Sequence, residues 1–242
     1  MDVPVAQAVA DAKAVGIQRL VTIGIDVPSS EWSVATAAAH DDVFATVAIH
    51  PNEAHTADEP AWTRIAELAA DPGVVGVGET GLDHFRTGED GWRRQEESFR
   101  RHIDIAKRSG KALVIHDRDA HDDVLRVLDS EGAPDRVVFH CFSGDAAFAR
   151  KCAEHGYVMS FAGNVTFKNA DELRAAAALA PDDLLLVETD APFLTPMPYR
   201  GRPNAPYLVP MTVRALAEIR GQAADEVAAA VSGTASRVFA WR

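Results

Sequence analysis

The residues of this 242-residue chain whose types and placing suggest chemistry are few and far apart: Glu79, His116, His140 and Asp190. Each lies at or just beyond the end of a short apolar run: VVGVG before Glu79, ALVI before His116, RVVF before His140 and LLLV shortly before Asp190. His50 closes a similar run, FATVAI. Taken singly, a histidine such as His116 reads as the polar end of a buried strand. Taken together, two imidazoles and two carboxylates suit Zn²⁺, Mn²⁺, Ni²⁺ or Fe²⁺ better than Ca²⁺, which prefers all-oxygen shells. The spacing is not that of a structural zinc site. Ligands drawn from separate strands are expected of a catalytic centre with open positions.

Other chemistries find less support. GVGETG, residues 76–81, fits the G-x-G-x-x-G pattern after a strand, but LDHFRTGEDG follows it and reads as loop. A dinucleotide site needs a helix starting there, and Glu79 would set a carboxylate beside the phosphates. The chain has no G-x-x-x-x-G-K-[ST], G-x-S-x-G, H-E-x-x-H or C-x-x-C. Cys141, next to His140, reads as a small buried residue rather than a nucleophile.

These residues must be positioned by the elements around them. Short apolar runs at 19–25, 43–50, 74–79, 112–116, 137–140, 157–162 and 184–190 predict strands. Helical patterns lie between them, near 5–15, 29–40, 60–70, 91–109, 119–130, 145–155 and 169–180, with two more near 207–220 and 224–239. Ser29/Ser30, Asp119 and Asp145 are the expected helix-start signals. Such alternation predicts βαβ units and a parallel sheet, with strands buried on both faces. Function in these folds gathers at the C-terminal strand ends, where five of the seven runs carry an ionisable residue: His50, Glu79, His116, His140 and Asp190. A TIM-type (β/α)8 barrel needs eight strands. Here seven are counted and the chain opens on a helix, so the first strand is the missing one.

Composition sets the class. With 47% apolar and 25% charged residues, the chain is an ordinary globular one. No repeat, linker or low-complexity tract divides it, so residues 1–242 are read as a single domain. The formal net charge of −12 argues against non-specific nucleic-acid binding through a basic surface, but it leaves room for carboxylates that hold a metal. No apolar run approaches a membrane span, and the N-terminus lacks a basic region followed by an apolar stretch. Two cysteines, Cys141 and Cys152, make no disulfide framework, so a cytoplasmic protein without membrane partners is expected.

Six stretches, GETGLDHFR, VIHDRDA, VFHCFSGD, SFAGNVTFKNA, LLVETDAPFLTP and YRGRPNAP, together resemble in order and spacing the TatD family of metal-dependent DNases. That family belongs to the amidohydrolase superfamily of (β/α)8 barrels, and the resemblance covers about residues 2–239. It implies a cytoplasmic phosphodiesterase, typically a 3′→5′ exonuclease with DNA as substrate. By resemblance, Glu79 is the carboxylate shared by two metals, and His116 and His140 are imidazole ligands of the second. Asp190 is both a ligand and the general base for the attacking water. His50, Arg118, Arg200 and Arg202 face the substrate, which suits arginine's match to phosphate geometry. The cofactor is one or two divalent ions among Zn, Mn, Mg, Ni and Fe.

Two departures bear on activity. His84 stands where the family usually has Tyr. The family's first strand carries an H-x-H pair; this chain has none, and Met1 falls just after its place. The expectation is a start placed too late or a truncated chain, with one metal site short of two ligands and the other kept by Glu79, His116 and His140. Weak nuclease activity and self-association through unpaired strand edges would follow. The competing readings are another barrel hydrolase, acting on amides, esters or aminoacyl-tRNA, and a catalytically impaired fragment or binding protein.

Overall fold

A computed structural model describes residues 3–241. The chain forms two compact units, one of Val21–His140 with Val238–Arg242, the other of Met1–Leu20 with Cys141–Arg237.

The first unit contains β2 (Val43–Val47), β3 (Val74–Asp83), β4 (Ala112–Arg118) and β5 (Val137–Phe139), parallel neighbours in chain order, with most of β1 (Leu20–Ile23). Helices α2 (Val27–Ala39), α3 (Glu59–Ala69), α4 (Glu89–Ser109) and α5 (His121–Glu131) alternate with them. Strand β1 is half-buried along its length, whereas β2 to β5 are largely buried, with Val74, Val77, Leu113 and Ile115 inaccessible. That is why they read as unbroken apolar runs instead of alternating ones. In α4, Gln95, Phe99, His102 and Ala106 form one buried stripe at helical spacing. Glu89 and Asp90 in its first turn and Lys107 and Arg108 in its last complement the helix dipole, and Gly110 (φ 62) ends it.

Strand β3 runs to Asp83, four residues beyond Glu79, where the sequence reads as loop, and β4 runs to Arg118. Gly81 makes this possible: its φ is 135, and a Cβ there would overlap the carbonyl oxygen of His116, its partner in β4. A Cβ at Gly78 would overlap the Val114 carbonyl in the same way. Two starts also differ from expectation. Asp26 caps α2, its carboxylate accepting the Ser29 N–H at 2.8 Å in a reciprocal box, so Ser29 is the box partner and not the cap. Asp119 does not cap α5; it takes a left-handed backbone (φ 56), which aspartate tolerates. Asp145 does cap its helix, accepting the Phe148 N–H at 2.8 Å.

The second unit contains β6 (Val158–Phe161) paired in parallel with β7 (Leu185–Val187), in the register Met159–Leu185, Ser160–Leu186 and Phe161–Val187. Its helices are α1 (Val5–Ala14), α6 (Ala146–Glu154), α7 (Asp171–Leu179), α8 (Val209–Arg220) and nearly all of α9 (Ala224–Phe239). Arg220 closes the C-terminal end of α7, donating to the carbonyls of Ala177 and Ala180 at 2.7 Å each. Among the described residues, no helix is long and apolar enough to cross a membrane.

Candidate metal centre

The first unit brings four of the expected residues together around one oxygen. Glu79 stands on β3, its side chain 12% exposed. From β4, His116 Nδ1 lies 2.9 Å from Glu79 Oε1. From the turn after β5, His140 Nε2 lies 3.2 Å from the same oxygen. His50, which follows β2 and caps the short 3-10 turn Pro51–Thr56, brings Nε2 to 3.7 Å. Backbone bonds fix the approach: His50 N–H donates to Ile25 O at 2.8 Å and His140 N–H to Ile115 O at 2.9 Å. Donor atoms of His50, Glu79 and His116 all lie within 4.8 Å of one another. A carboxylate flanked by imidazoles fits a nitrogen- and oxygen-preferring divalent ion.

Hydrogen bonds distinguish the histidines. The His50 Nδ1 accepts the Asn52 N–H at 3.1 Å, so the neutral ring carries its proton on Nε2, facing Glu79. That tautomer makes His50 a donor into the site. His116 differs: a carboxylate faces each of its nitrogens, Asp83 Oδ2 at 3.1 Å from Nε2 and Glu79 Oε1 at 2.9 Å from Nδ1, so an ion replacing the Nδ1 proton would leave Nε2–H donated to Asp83. Burial pushes His50 down to about 4, against the pull of Glu79. Burial also opposes charge on His116, but its bonds to Asp83 and Glu79 prevail and raise its pKa. Desolvation works against an ionised Glu79; His140 and His116 outweigh it and hold the carboxyl well below the usual range. Asp83, opposed by burial too, is held low by His116, the Arg86 N–H and Asn52.

Asp83 is the member that sequence reading missed. Its neighbours Asn52 (Nδ2 to Asp83 Oδ2, 3.0 Å) and Gln95, whose side chain clasps the Asp83 backbone, were missed with it. The available signal was strand alternation: Glu79, Gly81 and Asp83 are spaced to share one face once β3 is allowed to run on. Buried His102 was missed as well. Its Nε2 accepts the Ile49 N–H at 3.0 Å, and its Nδ1 lies 2.8 Å from Ser98 O and 2.9 Å from Thr80 Oγ1. It thus grips the residues beside His50 and Glu79. Arg118, at the end of β4, lays its guanidinium over the Phe85 ring, 3.9 Å from the centroid.

The remaining expected residues belong to the second unit. Asp190 lies three residues past β7 with φ 55, its carbonyl accepting the Phe193 N–H at 2.8 Å. Arg200 stacks over Phe167 at 4.2 Å. The Arg202 carbonyl accepts from Thr195 Oγ1 at 2.6 Å, and Asn204 braces the loop through the carbonyls of Thr189 (2.7 Å) and Phe193 (2.6 Å). Cys141, expected buried, is half-buried, and its N–H donates to the Glu188 carboxylate; Cys152 is buried.

The family model described as TatD-related DNase matches residues 2–240. A Mycobacterium tuberculosis protein named as the uncharacterized metal-dependent hydrolase TatD is 47% identical over 232 residues, 94% of this chain and 88% of that one. The Bacillus subtilis metal-dependent hydrolase YabD is 36% identical over 247 residues, covering 98% and 93%. The crystal structure of YJJV, a TatD homologue from Escherichia coli, superposes with a TM-score of 0.91 at 26% identity, covering 97% of this chain and 91% of that one. The fold class is therefore the TIM-type barrel of these proteins, with seven strands among the described residues, as for a barrel with one strand missing.

Proposed function

The chain belongs to the TatD-related DNase family and is a metal-dependent hydrolase, and from that premise we propose that it hydrolyses phosphodiester bonds of DNA, acting as a 3′→5′ exonuclease in the cytoplasm. The observation that carries the reading is the convergence of His116 Nδ1 and His140 Nε2 on one oxygen of buried Glu79. Glu79, His116 and His140, with Asp190, are the residues to hold the divalent ion, of which Zn, Mn, Mg, Ni and Fe all suit the donor set. When bound, such an ion withdraws charge from the phosphate and makes water nucleophilic at neutral pH.

The chain's own groups do the rest. Asp190 takes the proton of the attacking water, the role its place in ETDAP gives it. His50 donates its Nε2–H to a substrate oxygen. Arg118, Arg200 and Arg202 bind phosphate oxygens and offset charge that grows in the transition state.

The test is incubation of a 5′-labelled single-stranded oligonucleotide with the chain and each of the five ions, beside Glu79→Ala. Stepwise shortening from the 3′ end, lost in the variant, is expected. No cleavage with any ion, alongside turnover of an uncharged ester or amide, would replace the nuclease reading with that of another hydrolase of this superfamily.

A further inference from the structure

Phe85 combines two properties that rarely occur together: its ring is among the most exposed large apolar side chains, at 63%, yet the loop that carries it is tightly held. Asp83 Oδ1 accepts the N–H groups of Phe85 (3.0 Å) and Arg86 (2.8 Å). The His84 N–H donates to Arg118 O at 2.9 Å, and the His84 ring stacks on Trp92 with centroids 3.9 Å apart. Trp92 Nε1 donates to Thr87 O, Thr87 Oγ1 to Asn52 Oδ1, each at 2.9 Å, and Asn52 returns to Asp83. A loop so anchored loses little conformational freedom when a ligand settles on it.

The same carboxylate connects this ring to the metal centre. Asp83 Oδ2 meets His116 while Oδ1 holds the Phe85 backbone. Arg118 covers one face of the ring with a guanidinium. A guanidinium carries its N–H donors in its own plane, so one that covers a ring can still reach phosphate oxygens beyond the ring edge. An apolar face beside a fixed cation matches a nucleobase and its phosphate, the pairing by which proteins bind single strands. A paired base inside a duplex has both faces covered by its neighbours and does not fit.

Resting on the phosphodiesterase reading above, we propose that Phe85, backed by Arg118, is the platform on which the 3′-terminal base stacks beside the cleaved phosphodiester. The test compares two single-stranded oligonucleotides that differ only in having a base or an abasic sugar at the 3′-terminal position. With the wild-type chain, kcat/KM is expected to favour the base by roughly ten- to a hundredfold. Phe85→Ala and Phe85→Leu should abolish that preference, and Phe85→Trp should retain it. Because the abasic strand is the reference, general damage to fold or metal binding lowers both rates and leaves the ratio. In parallel, a 3′-terminal 2-aminopurine should lose fluorescence on binding wild type and Phe85→Trp but not Phe85→Leu. A base preference and quenching that survive in Phe85→Leu overturn the platform while leaving the nuclease reading intact. A wild-type chain that neither binds nor cuts either strand overturns both.

Discussion

Asp83 Oδ2 lies 3.1 Å from His116 Nε2, while Glu79 meets the other nitrogen of that ring at 2.9 Å. The acceptor at Nε2 fixes which nitrogen is offered to an ion. Asp83→Asn, with its amide NH₂ turned to Nε2, favours the opposite tautomer and should weaken metal binding by about 10–100-fold. Isothermal titration of the metal-free chain checks this. Unchanged affinity in both Asp83→Asn and Asp83→Ala would mean that His116 is oriented by something else.

Glu79 and His50 should separate cleanly. Elemental analysis is expected to find an ion in the wild-type chain and none in Glu79→Ala, whose shared oxygen is gone. His50→Ala should keep its ion, because the bond from Asn52 makes His50 a donor, and should lose activity through a raised KM. An ion lost in His50→Ala would reassign it as a ligand.

His102 predicts a pH dependence of stability. Burial lowers its pKa from 6.5 to about 4, despite a partly offsetting bond to Ser98. The unfolded chain therefore takes up a proton near 6.5 that the folded chain refuses until about 4. Its contribution is fully present above pH 6.5 and is lost as pH falls toward 4, on the order of 3 kcal/mol in all. Urea unfolding in chelator across this range should show a shallower loss for His102→Gln than for wild type. Parallel curves would show that His102 does not titrate as a buried neutral ring.

Gly81 and Gly110 both have positive φ, but their surroundings differ. Nothing lies within 4 Å of a Cβ at Gly110, so Gly110→Ala should cost only the left-handed backbone penalty, about 1–2 kcal/mol. Gly81→Ala meets the His116 carbonyl as well, and should cost more than twice as much or prevent folding. Comparable thermal midpoints for the two variants would contradict the contact between β3 and β4.

The positions of the strands and helices were legible because buried parallel strands and amphipathic helices leave different periods in the sequence. The length of β3 was not. Gly81 and Asp83 have turn composition, yet Gly81 serves close approach of two strands and Asp83 accepts from a histidine. Likewise, His102 looks like one more residue of the buried stripe of α4; its partners Ile49 and Thr80 are 53 and 22 residues away. The motif histidines could be located by type and place, but the division between His50 as donor and His116 as proposed ligand depends on the partners of their second nitrogens, the Asn52 N–H for one and the Asp83 carboxylate for the other, which a sequence does not show.

The glycine contacts at 78 and 81 act as a gauge. Main chain rests on main chain on either side of Glu79, so the gap between that carboxylate and His116 is set before any side chain is chosen. Repacking the core around β3 and β4 cannot widen it. Retuning this centre to a larger ion or a bulkier ester has two routes left: exchanging the ligating groups themselves, or rebuilding the loop that starts at His84.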